Sequence, residues 1–157
     1  MFTPRISNER RDRLAAVPLF SQCTRRELER ISSLTTEHTA SAGDVLTIAG
    51  QPGQECFIIE SGTASVYRDD LKLDVLGPGA LFGEIALLDQ GPRTATVVAD
   101  TDMVLLVMSR SEFSRVHVLA PSVARKMIKA LATRIRRADD GWASSANQVS
   151  APAVRPG

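Results

Sequence analysis

Two kinds of hydrophobic pattern divide the chain into a middle region and two flanking regions. Helical spacing of apolar residues occurs on both flanks, after a Ser or Thr that Glu follows three residues later, which is the capping-box signature. Thr24 begins one such segment and Ser109 begins a second. Pro121 suits the first turn of a third helix, predicted to run to about Asp140. Its apolar stripe, which we assign to core or dimer packing, is Val123, Met127, Leu131 and Ile135.

The middle region has the short, β-rich runs of a sheet protein. Eight of the ten glycines lie between residues 43 and 91 and separate these runs, and turn signals such as Pro52-Gly53 recur at roughly regular spacing. In 71–75 every second side chain is apolar, as in a strand. This rhythm predicts a small barrel or a jelly roll flanked by helices, a mainly β (α+β) fold. The predicted strands are 45–48, 56–59, 63–67, 71–76, 95–99 and 103–108.

Length and composition limit the protein to one core and a few functional classes. A chain of 157 residues with 43% apolar residues fits a single packed domain. No apolar run approaches about 18 residues and no signal peptide is visible, so we expect a cytoplasmic protein without membrane insertion. Cys23 and Cys56 have no metal-ligand spacing, and with only two histidines they predict no metal site.

The formal net charge of +1 conceals an uneven distribution. Residues 44–112 hold eleven acids and four bases, whereas 125–137 hold six bases and no acid. Seven arginines and four acids lie in residues 1–30. An acidic middle between basic flanks does not favour strong nucleic-acid binding, because the basic run alone would give weak, salt-sensitive contacts.

The segment 79–97 interrupts the strand pattern and contains the candidate chemistry. Gly83 precedes good helix formers at 84–88, and a short helix after a glycine presents free N–H groups to an anion. Gly91-Pro92 then reverses the chain, returning Arg93 and Thr94 towards that helix start. A forked guanidinium beside a hydroxyl suits a phosphate diester. Arg93 is also the only base between Lys72 and Arg110.

These residues resemble the phosphate-binding cassette of cyclic nucleotide-binding domains. The resemblance is carried by 82–87, by 92–97 and by the nine-residue step from Glu84 to Arg93, with weaker support at 17–20, 42–45 and 59–64. The family includes protein kinase A regulatory subunits, the catabolite activator protein and cyclic-nucleotide-gated channels. The resemblance implies an antiparallel jelly roll (double-stranded β-helix) with N-terminal helices and two C-terminal helices.

The resemblance also implies a role for each matched residue. Arg93 would pair with the cyclic phosphate, assisted by Thr94 and by backbone N–H groups near Ala86 and Ala95. Glu84 would accept from the ribose 2′-hydroxyl, because a carboxylate accepts from a hydroxyl and repels phosphate. Gly83 would let the sugar lie close. The complete predicted ligand-binding set is Val66, Leu73, Phe82, Gly83, Glu84, Ile85, Ala86, Arg93, Thr94, Ala95 and Arg134.

Structural roles remain open for several of these residues. Arg93 could instead form a structural ion pair with Glu84, and Thr94 could be an ordinary strand residue. A hydroxyl at the position of Thr94 is a feature of both cGMP-dependent kinases and bacterial cAMP receptors, which this segment resembles. Of the two ligands we favour cAMP over cGMP. The residue that covers the base could be Arg134, Arg136, Arg137 or Trp142. The alternative is that this end of the helix is solvated and contacts no base.

The sequence therefore predicts a cyclic nucleotide receptor domain that is not an enzyme and whose C-terminal helix moves when ligand binds. We expect a leader at 1–16, the binding domain at 17–140 and a disordered tail at 141–157. Expected partners are the nucleotide, an effector protein or fused domain, and a second copy through the C-terminal helix. The alternatives are a fragment of a DNA-binding regulator of the catabolite activator type, a nucleotide-free interaction module, and an excised channel domain.

Overall fold

The computed structural model describes residues 6–83 and 91–136. Its helices are α1 (Asn8–Ala15), α2 (Arg25–Leu34), α3 (Arg110–Leu119) and α4 (121–136), with a 3₁₀ turn at Pro18–Phe20. Its strands are β1 (Thr36–Ala40), β2 (Val45–Thr47), β3 (Glu55–Ser61), β4 (Ala64–Arg68), β5 (Leu71–Leu76), β6 (Leu81–Phe82), β7 (Thr96–Ala99) and β8 (Met103–Ser109).

The strands form two antiparallel sheets of four strands each. One has the order β1-β8-β3-β6 and the other the order β2-β7-β4-β5. Every recorded strand pair is antiparallel. Helices precede and follow the sheets in the chain, so the predicted mainly β architecture with flanking helices is confirmed.

The strand β8 is buried on both of its faces and joins two hydrophobic cores. Leu106 and Met108 pack with the helices, whereas Leu105 and Val107 pack between the two sheets. A strand covered on both faces needs apolar side chains at every position, which explains why residues 103–108 show no alternation. The molecule is therefore three layers deep, with helices on one sheet and the second sheet behind it.

Both predicted capping boxes are present in the structure. The Thr24 hydroxyl accepts from the Glu27 amide at 3.1 Å, and the Glu27 carboxylate accepts from the Thr24 amide at 3.0 Å. The same reciprocal pair joins Ser109 and Glu112 at the start of α3. Because each box satisfies two otherwise unpaired backbone groups, these residues set where α2 and α3 begin. The predicted end of α4 near Asp140 lies outside the described residues.

A cluster of two arginines and two glutamates attaches α1 to the first sheet. Arg10 and Arg13 donate to opposite carboxylate oxygens of Glu37, at 3.3 and 3.0 Å. Glu60 lies beside this group, with its Oε1 atom buried and lacking a hydrogen-bond partner. Burial raises the pKa of the Glu60 carboxyl, and the charge of Glu37 raises it further, while Arg13 and Arg10 act in the opposite direction.

Two strands were not predicted from the sequence, and one predicted strand has an exposed apolar face. The polar strand β1 and the two-residue strand β6 were not predicted, because neither carries enough apolar alternation to be detected. The strand at 71–76 is present, but its alternating side chains Leu71, Leu73 and Val75 are exposed rather than buried. The strand β5 lies at the edge of its sheet and shows a register shift against β4, and of its apolar residues only Leu76 packs in the core.

Candidate functional site

Arg93 is placed by a short backbone ladder between two loops. Its amide donates to the Gln51 carbonyl, and its own carbonyl accepts from the Gly50 amide, both at 2.8 Å. These two bonds hold the segment that follows Gly91-Pro92 against the loop that precedes β3. These bonds hold the Arg93 backbone independently of the contacts that its side chain makes.

The Arg93 side chain is buried, although it belongs to the acidic part of the chain. It is only 9% exposed, and its Nη1 donates to the carbonyls of Glu55 at 2.7 Å and Gly83 at 3.0 Å. The guanidinium carbon lies 5.7 Å from the centre of the Phe57 ring. A buried guanidinium must be hydrogen-bonded to be tolerated, and these contacts meet that requirement while fixing its direction.

Two glycines give the guanidinium its space. A Cβ atom at Gly53 would lie 2.0 Å from Arg93 Nε and 2.2 Å from Cζ. A Cβ at Gly83 would lie 2.6 Å from Nη1, and Gly83 also has a left-handed backbone with φ of 83°. Each position can therefore hold only glycine while Arg93 keeps this conformation.

The stacked rings of Phe57 and Phe82 lie on one side of the Arg93 guanidinium. The rings stack with centroids 4.8 Å apart at an interplanar angle of 15°, and the two residues are cross-strand partners in β3 and β6. Phe82, predicted to bind ligand, is 4% exposed and packs in the core between the sheets. Its side chain therefore supports the strand that leads to Gly83.

The residues after Arg93 face the surface. Thr94 is exposed, and its carbonyl accepts a hydrogen bond from Arg68 Nε at 3.1 Å. Ala95 is half-buried, and its carbonyl accepts from Thr47 Oγ1 at 3.0 Å. The exposed Thr94 hydroxyl is therefore carried on a backbone that neighbouring strands hold in place.

Val66 and Leu73, two residues of the predicted ligand-binding set that would form an apolar wall of the site, lie on the adjacent strands β4 and β5. Val66 is half-buried and is the cross-strand partner of Val97, whereas Leu73 is 48% exposed at the register shift. Both lie in the sheet whose strand β7 follows directly after Thr94 and Ala95. An apolar side chain exposed at this place can contact an apolar ligand face.

Arg134 connects α4 to the strand that precedes Gly83. Its Nη2 donates to the backbone carbonyl of Leu81. Arg134 thus contacts β6 at Leu81, the residue before Phe82. Its guanidinium contacts the backbone of β6 here, a contact that the sequence did not predict.

Several predicted residues lie outside the described part of the chain. These are Glu84, Ile85 and Ala86 of the binding set, and Arg137 and Trp142 among the residues proposed to cover the base. Conversely, the structure adds Gly53, the Glu55 carbonyl, Phe57 and Arg68 to the site. The dipeptide Pro52-Gly53 had indicated only a turn, and no sequence signal marks a backbone carbonyl as a ligand of arginine.

The described geometry suits the binding of a small anion with an apolar group attached. It provides a positioned guanidinium, an exposed hydroxyl, a glycine that permits close approach and neighbouring apolar side chains. Residues 6–83 and 91–136 contain no group of three or more His, Cys, Asp or Glu that could hold a metal ion. Within these same ranges, no helix has the length and apolarity needed to span a membrane.

Comparison with known proteins gives consistent relatives. A sequence model of the cyclic nucleotide-binding domain matches residues 37–118. The chain is 34% identical over 127 residues to the cyclic AMP receptor protein of Thermus thermophilus, covering 78% of this chain and 59% of that protein. It is 32% identical over 102 residues to a cAMP-dependent protein kinase regulatory subunit of Hypocrea atroviridis, covering 65% of this chain and 22% of that protein.

A solved structure agrees with these sequence relatives. The Thermus thermophilus catabolite activator protein superposes with a TM-score of 0.72 at 32% identity, covering 82% of this chain and 63% of that one. The chain thus spans less than two thirds of each of these three proteins.

Proposed function

Because this chain belongs to the cyclic nucleotide-binding domain family, we propose that it is a non-enzymatic receptor domain in which Arg93 binds the cyclic phosphate. The observation that carries the proposal is the cradle around Arg93, in which two carbonyls, two glycines and an aromatic ring fix one buried guanidinium. A cation fixed before ligand arrives loses little further conformational freedom on binding.

The remaining predicted residues complete the proposed binding mode. Thr94 and the Ala95 amide would contact the phosphate, Gly83 and Glu84 the ribose, and Val66 and Leu73 the base. Ile85 and Ala86 would supply backbone around the phosphate, and Phe82 would hold the cassette against the core. A carboxylate at Glu84 favours a ribose hydroxyl and disfavours a 5′-phosphate, which would make the site select cyclic ribonucleotides.

We favour cAMP over cGMP as the ligand. The names of two similar proteins, a cyclic AMP receptor protein and a cAMP-dependent kinase regulatory subunit, support this choice. The Thr94 hydroxyl is exposed and is therefore available to either nucleotide. The preference thus rests on the relatives.

We further propose that ligand binding shifts α4 and that this movement is the output. The start of α4 is attached to α2, because Ser122 Oγ donates to the Glu27 carboxylate. Arg30 of α2 also donates to the Leu119 carbonyl at the end of α3, at 3.1 Å. The second half of α4 contacts the strand β6, because Arg134 donates to the Leu81 carbonyl. A ligand that binds Arg93 and Glu84 and pulls the cassette inward would also displace Leu81, two residues before Gly83, and so change the position of Arg134.

The exposed face of α4 supports the proposed homodimer. Ile128 and Ile135 lie seven residues apart on this face. Ala124 and Leu131, which pack partly against the core, lie beside them at the spacing of a coiled-coil seam. Ile128 is 67% exposed and Ile135 is 62% exposed. By contrast, Val123 and Met127 are buried in the core, so the predicted stripe divides between the two roles.

Thermal unfolding with and without cAMP, cGMP or 5′-AMP tests the proposed ligand. A nucleotide bound only by the native state must raise the melting temperature, by an amount that grows with its concentration. We expect cAMP to give the largest shift, cGMP a smaller one and 5′-AMP almost none. Absence of a shift with every cyclic nucleotide would favour the nucleotide-free interaction module instead.

Arg93→Ala and Glu84→Ala are the variants that connect this result to the site. We expect both to keep the fold and to lose most of the shift produced by cAMP. Arg115→Ala, which removes an exposed arginine on α3, is the charge-matched control and should behave as the wild type. Equal shifts in all four proteins would contradict the assignment of the site.

A second candidate function is the sensing part of a DNA-binding regulator of the catabolite activator type. The superposition on the Thermus thermophilus catabolite activator protein, of which this chain covers 63%, favours it. An electrophoretic mobility shift at physiological salt tests DNA binding by this chain itself. We expect only weak complexes that dissociate as salt rises, because 125–136 is basic but the sheets are acidic. A complex that persists would favour this second function.

A further inference from the structure

Ala95 lies between two peptide groups, and a side chain from a neighbouring strand fixes the carbonyl of each. Arg68 Nε on β4 donates to the Thr94 carbonyl at 3.1 Å. Thr47 Oγ1 on β2 donates to the Ala95 carbonyl at 3.0 Å. These residues approach the segment from two different strands, so its backbone orientation does not depend on the cassette loop alone.

Because the peptide group is planar, the hydrogen bond from Arg68 to the Thr94 carbonyl also fixes the direction of the Ala95 N–H. In a trans peptide the carbonyl of one residue and the N–H of the next lie in one plane and point in opposite directions. Because the Thr94 carbonyl points at Arg68, the Ala95 N–H points away from Arg68. Rotating this N–H would require breaking the bond to Arg68.

Arg68 itself is held in register by its neighbours. Tyr67 is the cross-strand partner of Thr96, so the next residue of β4 lies beside the start of β7. The hairpin that follows turns through Asp69 and Asp70, both in the left-handed region with φ of 51° and 64°. This tight turn fixes the register of β4 against β5, and the pairing of Tyr67 with Thr96 fixes β4 against β7.

We propose that Arg68 is a positioning residue for ligand binding, which orients the Ala95 amide towards the phosphate through the Thr94 carbonyl, with Thr47 holding the next peptide group. This role rests on the proposed function. Arg68 touches no ligand in this role. It acts through a backbone donor, in the way that fixed amides form an anion hole.

Three variants separate this role from a general effect of positive charge. Arg68→Ala removes both the hydrogen bond and the charge, whereas Arg68→Gln removes the charge but retains an N–H donor that can reach the Thr94 carbonyl. Lys72→Ala removes another base from the same hairpin and is the matched control. All four proteins are titrated with cAMP by calorimetry at low and high salt, and their melting temperatures are compared.

The expected result is a loss of affinity that follows the hydrogen bond. We expect about a tenfold weaker affinity for Arg68→Ala, a smaller loss for Arg68→Gln and no loss for Lys72→Ala. The amide proton of Ala95, observed by NMR with a ¹⁵N label, should shift downfield on cAMP binding in the wild type. That shift should be clearly smaller in Arg68→Ala, whereas a purely structural role would leave it unchanged.

The contrary outcomes fall into two groups. Equal affinities for cAMP in the wild type and in Arg68→Ala would overturn the positioning role and leave the proposed function intact. The same conclusion would follow if Arg68→Ala and Arg68→Gln lost equal affinity and the loss disappeared at high salt. A wild-type protein that binds no cyclic nucleotide would contradict the proposed function, and the role of Arg68 would fail with it.

Discussion

Gly53 provides the sharpest test of the Arg93 cradle, because adding a single methyl group there should displace the guanidinium. A Cβ at residue 53 would meet Arg93 Nε at 2.0 Å, Cζ at 2.2 Å and Cδ at 2.7 Å. Ordinary contact begins at 3.4 Å, so the side chain would have to retreat by about 1.4 Å. Bonds of 2.7 and 3.0 Å to Glu55 and Gly83 cannot survive such a movement.

The size of the effect follows from the bonds that are lost. A hydrogen bond made by a charged group contributes about 1.5–3 kcal/mol, so loss of one Arg93 contact to the phosphate should weaken binding by about 10- to 150-fold. The buried guanidinium also loses partners in the free protein, and we therefore expect a lower melting temperature for Gly53→Ala.

Gly77→Ala is the matched control for this prediction. A Cβ at Gly77 would meet no atom within 4 Å, and neither Gly77 nor Gly53 has a left-handed backbone. Both variants therefore add the same methyl group and restrict the unfolded chain equally. Calorimetric titration with cAMP should show weak binding for Gly53→Ala and wild-type affinity for Gly77→Ala. Wild-type affinity in both variants would refute the reasoning about the cradle.

Three further predictions concern stability and assembly. Glu60→Gln should raise the melting temperature at pH 7, because folding raises the pKa of the Glu60 carboxyl and such an acid destabilises the protein above that pKa. This penalty fades as the pH falls towards the ordinary pKa, so the variant should lose its advantage in acid. An equal advantage at every pH would contradict this. Ile128→Glu should convert the proposed dimer to a monomer, as measured by analytical ultracentrifugation. Val118→Glu, at an equally exposed residue of α3, is the control and should leave the dimer intact. A wild-type protein that is a monomer would contradict the proposed dimer. Ser109→Ala should lower the free energy of unfolding by about 1 kcal/mol in urea denaturation, because the cap of α3 is lost, and an unchanged midpoint would count against that cap.

Periodicity and capping predicted most of the fold because each depends on neighbours in sequence. The capping boxes at Thr24 and Ser109 fix helix starts through contacts three residues apart, and both are present. The six predicted strands are all present, with no boundary more than two residues from its predicted place. The polar strand β1 was missed, because its place in the sheet depends on pairing with β8, far along the chain.

The candidate site divides in the same way between local and distant contacts. Arg93 and Thr94 stand out in sequence because of the turn and the charge pattern around them. Gly53 and Glu55 do not, because their contribution is space and a backbone carbonyl about 40 residues from Arg93. The register shift between β4 and β5 beside Leu73 was also not predicted, since it depends on how two strands pair at the edge of a sheet.

A calorimetric titration of cAMP into the wild-type protein and into Arg93→Ala tests the central claim most directly. The account predicts saturable binding to the wild type with one site per chain, and little or no binding to an Arg93→Ala protein that melts cooperatively. Wild-type affinity retained in Arg93→Ala, or no heat of binding in the wild type, would contradict the claim that Arg93 makes this chain a cyclic nucleotide receptor.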